Sequence, residues 1–444
     1  MNRSEYTATS VSFFKVCAYV GLLSLAICYF PFIPGMGRFG GETRPLTYVF
    51  LFPLFFVPFC QGYFEADRLV MLWLVFLLFS TLNLFVVIVS GGAIAAAINA
   101  FLSINLGLWF LIATTRGYWL RISADKMQKI YLYVALILVI YGYFEIFHIL
   151  GFPGFENILQ CVRKIFVVRY QVFDRVTWLA NEPSFGSFQI CSALILNELY
   201  FSERKKMKMY TFMQGSLLVQ VVFTQSLLCY LSAVIILIFL ISKRMLLIMF
   251  GVIAILGWGF LKLSYFHGQL AQIASRCTAL ISGTDASLLT RYYLTLSSYL
   301  ACFYTNFLGF GLGQYRFHWR DVFTAYGLPH NITYGLLWQW RASEPVKPYS
   351  VVGGICAELG IIGGVIFLMM LLQVFSEIRQ VRSRRLRRIM IAAFVYVAFI
   401  FFANAYAPVT PIIWFLLGVV YLKAKEKSHE TRPCAYLRGK KIDK

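Results

Sequence analysis

The chain is a succession of apolar runs broken by short basic stretches, and that alternation leaves few folds open to it. A helix that crosses the hydrocarbon core needs about 20 apolar residues. About twelve such runs are present, near 11–33, 46–63, 69–90, 92–114, 128–151, 182–201, 208–224, 226–242, 244–262, 350–376, 389–404 and 410–423. Of the 444 residues 60% are hydrophobic and only 13% charged, against about a quarter charged in a soluble domain. The reading is an all-α polytopic membrane protein with about 12 transmembrane helices. The first run is too long for a signal-peptide core and lacks a small-residue cleavage site, so it is expected to be retained as a span. Only Thr224, Gln225 and Ser226 separate the seventh and eighth runs, which predicts a tight helical hairpin.

A net charge of +21 would point a soluble protein toward nucleic acid. Here the cations lie between spans and read first as topology signals, so no nucleic-acid partner is expected. "RGYWLRISADKMQK" and "ERKKMK" carry four Lys and Arg each, the pair at 243–244 two, "RQVRSRRLRR" six, and the tail from Lys423 onward eight. All five stretches fall on one side if the N-terminus is cytoplasmic, which puts both termini inside. The tail, 424–444, is expected to be disordered along anionic membrane lipid.

Two long segments then face outward: 152–181, and 263–349 between the ninth and tenth spans. Among otherwise short connections, a long outer loop is where function concentrates. Its stretch "TRYYLTLSSYLACFYTNFLG" mixes aromatic and polar residues as an amphipathic interfacial helix does. Cys161, Cys277 and Cys302 fall on this side, where a disulfide among them is open, and no Cys/His spacing fits zinc.

The outer segments carry more positive charge than the topology rule favours: Arg163, Lys164, Arg169 and Arg175 in the first, and Lys262, Arg276, Arg291, Arg316, Arg320, Arg341 and Lys347 in the second. An anionic ligand at the outer leaflet explains this, and arginine's planar fork suits phosphate. Lipid headgroups are the other reading for any single arginine. Arg175 and Arg291 stand out. Arg175 precedes "NEPS", where Asn181, Glu182 and Ser184 cluster and Pro183 suits the first turn of the sixth span. Glu182 either caps that helix or orients Arg175 and bonds sugar hydroxyls.

"NFLGFGLGQYRFH" contains Gly309, Gly311 and Gly313 without the strand–turn–helix frame of a nucleotide loop. A turn that lets backbone approach a ligand is the better reading. In "GLPHNITYGLL", His330 beside Asn331 is either a general base or a loop histidine. Glu145 and His148, in the fifth span, and Glu358, in "AELGIIGG" of the tenth, are ionisable groups in apolar runs, which are functional suspects by default. Trp178, Tyr315, Trp319 and Trp338 could stack on sugar faces or anchor the chain at the interface. No paired outer carboxylates, nucleophile elbow or HExxH is present, so neither a metal nor a cofactor is expected, and leaving-group charge would fall to the arginines.

Arg175 with "NEPS", "TQS" at the hairpin, Arg291 in the outer loop, "NFLGFGLG", "HN" and "AELGIIGG", in this order, resemble the O-antigen polymerase and O-antigen ligase superfamily. The matching pieces span roughly 175–364. The resemblance implies a GT-C-type inverting glycosyltransferase acting at the periplasmic face of the bacterial inner membrane. Its donor would be a glycan on undecaprenyl pyrophosphate, moved en bloc onto another lipid-linked repeat unit by a polymerase or onto lipid A–core by a ligase. It also implies a chain-length co-polymerase as partner. On this reading Arg175, Arg291 and His330 are catalytic. Asn181, Glu182, Ser184, Arg276, Gly311, Gly313, Arg316, Asn331 and Glu358 bind substrate. "NEPS" looks more like polymerases than ligases. A transporter of the lipid-linked unit is the non-enzyme alternative, and it would distribute charge through the spans and keep its loops short.

Overall fold

The computed structural model describes residues 3–27, 46–56, 67–115, 122–167, 172, 174–180, 183–204, 208–240, 286–329, 346–404 and 410–429. Among them every regular element is helical. In chain order the helices are α1 (Arg3–Leu23), α2 (Leu46–Leu51), α3 (Arg68–Val89), α4 (Ile94–Thr115), α5 (Ala124–Ile149), α6 (Phe155–Phe166) and α7 (Pro183–Phe201). Then follow α8 (Lys208–Phe223), α9 (Leu227–Leu240), α10 (Ala286–Tyr304), α11 (Tyr315–Ala325), α12 (Val351–Gln380), α13 (Arg384–Ala403) and α14 (Pro411–His429). Five of these, α3, α4, α5, α12 and α13, are long and apolar enough to cross a membrane. The expected ninth span, 244–262, lies outside the described residues.

Local chemistry sets the helix starts. Asp67, Ser123, Ser350 and Ser383 each accept a hydrogen bond from a first-turn amide of α3, α5, α12 and α13 respectively, satisfying donors that a helix start leaves open. On α3, Met71, Val75, Leu78, Leu82, Phe85 and Val89 are all exposed. Their helical spacing makes one continuous apolar stripe, far too large a greasy face for water. The opposite face, with Trp73, Phe76 and Ser80, is buried. The core helix is α14, whose residues from Ile412 to Val420, the small Gly418 included, are buried against α4, α5, α12 and α13. The turn at 224–226 is the tight hairpin that the sequence predicts, with Gln225 at φ 47° and the Thr224 hydroxyl donating back to Val221.

Residues from four of the basic stretches meet at one end of the bundle. Asp125 bonds both Arg204 and Lys423 at 2.8 Å, Lys425 reaches Asp67 at 3.0 Å, Lys427 reaches Glu203 at 3.2 Å, and Arg385 reaches Glu198 at 2.9 Å. The beginning of the tail is therefore ordered, contrary to expectation: α14 continues to His429 because these carboxylates hold its lysines.

Candidate functional site

The polar loop before α7 is fastened from below by a buried network. Glu145, on α5, accepts from the backbone N–H of Thr177 at 3.0 Å and of Trp178 at 2.9 Å, and from the Thr177 hydroxyl at 2.5 Å. Arg163, on α6, donates to the Thr177 hydroxyl at 2.6 Å and the Ala180 carbonyl at 2.9 Å, and stands 3.7 Å from Glu145. Both side chains are almost wholly buried. The Trp178 indole N–H donates to Gln220 at 2.5 Å, Gln220 donates to the Val139 carbonyl at 2.8 Å, and Val176 N–H bonds Phe223. A side chain at Gly186 would collide with the Thr177 carbonyl, so α7 touches the loop backbone directly.

These contacts change the reading of three residues. Arg163 is no outer anion ligand: it faces inward because α6 buries Leu159 and Arg163 along one side and exposes Asn157, Ile158, Cys161 and Ile165 on the other. Glu145 orders a loop instead of facing substrate. Trp178 is sealed in the core and offers no face to a sugar. Arg175 itself, one residue before this lock, stays partly exposed. Ser184 is buried in the first turn of α7, its carbonyl accepting from Ser187 at 2.5 Å. Asn181 and Glu182 lie outside the described residues, as do Arg276, His330, Asn331 and Trp338.

A second constellation gathers residues far apart in sequence. Helix α12 breaks at Gly360, which takes φ 67° and ψ −169°. A break frees backbone groups that the helical ladder would have paired. The glycine-rich loop after α10 pairs them: Phe310 N–H bonds the Ala357 carbonyl at 2.8 Å, Gly311 N–H the Glu358 carbonyl at 2.9 Å, and Ile361 N–H the Phe307 carbonyl at 2.9 Å. Gly309, Gly311 and Gly313 all have positive φ. The close approach they allow is to the protein's own backbone: a Cβ on Gly309 would lie 2.5 Å from Gly360 N, and one on Gly313 would strike the Ala96 carbonyl. The Asn83 carboxamide accepts from Leu312 N–H at 2.9 Å, and Gln314 accepts from Ala93 N–H at 3.1 Å, tying the loop to the α3–α4 corner.

Beside this junction lies a cavity of about 90 Å³ between α4, the start of α11 and the N-terminal half of α12. Asn99 and Ser103 line it from α4, Gly313 and Arg316 from the loop and α11, and Lys347, Ser350 and Glu358 from the segment entering α12 and from α12 itself. Arg316 and Lys347 are brought together by a bond from Val346 N–H to the Arg316 carbonyl at 3.2 Å. Among the described residues neither cation has an ion-pair partner, and Arg316 Nε is buried without a hydrogen bond. Burial, followed by the neighbouring guanidinium of Arg316, lowers the Lys347 ammonium from 10.5 to about 8. The Glu358 carboxyl accepts from Gly313 N–H.

Arg291 sits on α10, one turn before Thr295, whose hydroxyl donates to the Tyr349 carbonyl at 3.2 Å. Further along α10, Ser298 accepts from Tyr349 N–H at 3.3 Å and Tyr299 bonds the Ser350 hydroxyl at 2.9 Å. Arg291 therefore belongs to the helix that buttresses the Lys347–Ser350 segment, and no bond holds it among the described residues. Arg175 sits on a different element, the loop fixed to α5, α6 and the α8–α9 turn. Tyr315 and Trp319 are buried, Tyr315 bonding Ser297 at 2.6 Å, so neither presents a stacking face. Cys161 and Cys302 are free thiols, and Cys277 lies outside the described residues.

The sequence pointed to Arg316, Glu358 and Gly313, and the structure assembles them. It passed over Asn99 and Ser103, which pack together at 3.3 Å on one face of α4. Their signal was an i, i+4 polar pair in an apolar span. No group of three or more metal-ligating side chains occurs among the described residues. No known protein family, curated protein or solved structure matches this chain.

Proposed function

We propose that the chain is a membrane glycosyltransferase that polymerises lipid-linked glycan repeat units at the periplasmic face of the inner membrane. The reading rests on one observation: two of the motif segments carrying the family resemblance, "NFLGFGLG" and "AELGIIGG", are hydrogen-bonded to each other beside a cationic cavity. A broken membrane helix is tolerated where it lines a cavity or is covered by protein, and here it does both. The end of the bundle opposite the cavity carries the paired basic loops, which the positive-inside rule assigns to the cytoplasm.

In the reaction the acceptor hydroxyl oxygen attacks the anomeric carbon of the donor glycan. The bond from that carbon to the pyrophosphate oxygen breaks with inversion, and the leaving oxygen keeps the electron pair. Arg291 and Arg175 bear the charge that develops on pyrophosphate, and His330 takes or orients the hydroxyl proton. Undecaprenyl pyrophosphate leaves, and the chain is one repeat unit longer.

Complementation of a polymerase-null strain tests this on a lipopolysaccharide gel. Wild type restores a ladder, while Arg291→Ala and His330→Ala collapse it to core plus one unit at equal expression. Failure of Arg291→Lys as well would support bidentate phosphate binding. Loss of the single-unit band in the null strain would replace the reading with a ligase or a flippase.

A further inference from the structure

Resting on the reading above, we propose that the cavity between α4 and α12 is a subsite for one acidic sugar residue of the glycan, a hexuronic acid or a sugar of like charge, and not the seat of the pyrophosphate. Its donor set is mixed. Arg316 and Lys347 supply two cations, Glu358 a carboxyl, and Asn99, Ser103 and Ser350 neutral donors and acceptors. Two cations beside one carboxyl suit a ligand with a single negative charge better than the several charges of a pyrophosphate. A polyol with one negative group asks for what is present here: a cationic fork for its carboxylate, and a carboxyl, an amide and hydroxyls for its hydroxyl groups.

Size and lining agree. About 90 Å³ admits several waters, room for a small polar group such as one sugar ring. The rest of the wall is apolar and suits the C–H face of a pyranose. Glu358 acts on both cations from the same cavity but forms a salt bridge with neither among the described residues, and Arg316 Nε is buried without an acceptor, so the cations keep donors for a further anion. An anion here would also hold the Lys347 ammonium protonated, against the burial that lowers it to about 8.

Saturation-transfer NMR on the full chain in phosphatidylcholine nanodiscs tests this directly. The probes are the methyl glycosides of glucuronic and galacturonic acid, the methyl glycosides of glucose and galactose, inorganic pyrophosphate, and dioctanoyl phosphatidylglycerol. The uronides should bind about tenfold more tightly than the neutral glycosides, the scale of a charge-assisted hydrogen bond. Lys347→Met and Arg316→Gln should erase that preference, and Lys347→Arg should keep it, with thermal melts confirming folding. Equal binding of neutral and acidic glycosides would overturn the proposal, as would no binding of either. Pyrophosphate or phosphatidylglycerol displacing the uronides from the wild-type cavity with higher affinity would assign it to a leaving group or a lipid. Uronide binding without any polymer ladder would instead sink the polymerase reading and leave the subsite standing.

Discussion

Gly309 and Gly360 lie back to back, so near that a Cβ on the first would stand 2.5 Å from the amide nitrogen of the second. Both have positive φ, 81° and 67°. The break in α12 and the loop that mends it are therefore one structural unit. Gly309→Ala and Gly360→Ala each add a left-handed penalty to a backbone collision, and each should cost about 2–4 kcal/mol. Gly327, at φ 61° with open space around it, is the control. Gly327→Ala should cost about 1 kcal/mol. Thermal melts of the three variants check the ranking.

The Glu145–Arg163 pair makes a different prediction. Removing one buried charge strands the other, so Arg163→Met should destabilise by about 3–5 kcal/mol. The double variant Glu145→Gln/Arg163→Met should cost less than the sum of the two singles. Because the pair pins Thr177, Trp178 and Ala180, Arg163→Met should also speed tryptic cleavage after Arg175. A double variant whose cost equals the sum of the singles would show that the two side chains act independently.

Lys347 gives the protein a pH signature. Its ammonium titrates near 8 when folded against 10.5 ordinarily. Between those values the unfolded chain holds a proton that the folded chain has released, so stability should rise with pH from about 8 to 10.5. Anion binding in the cavity should move the other way, weakening as pH passes about 8 and the cation is lost. Melting temperatures of wild type and Lys347→Met from pH 7 to 10 check the first trend, since the variant lacks this contribution.

Much of this architecture was legible from residues alone, and the exceptions share a cause. The hairpin at Thr224–Ser226 could be read because two apolar runs leave only a tight turn between them. The caps at Asp67, Ser123, Ser350 and Ser383 are equally local. Arg163 could not be placed, because charge counts report which side of a membrane a loop occupies and not which way a side chain turns within it. The glycines of "NFLGFGLG" were readable as a tight loop, but the broken helix they repair lies about fifty residues further on. Lys347 drew no notice among the eleven cations of the two long segments, since only packing against Arg316 distinguishes it.

Polymerisation is a chemical activity and can be put to purified protein. The full chain, reconstituted in liposomes with undecaprenyl-pyrophosphate-linked repeat units and nothing else, should release undecaprenyl pyrophosphate and build a ladder of lengthening glycans. Arg291→Ala should abolish both at an unchanged melting temperature. Units that cross the bilayer unlengthened, or that stay single while the folded wild-type protein releases no undecaprenyl pyrophosphate, would rule out polymerisation by this chain.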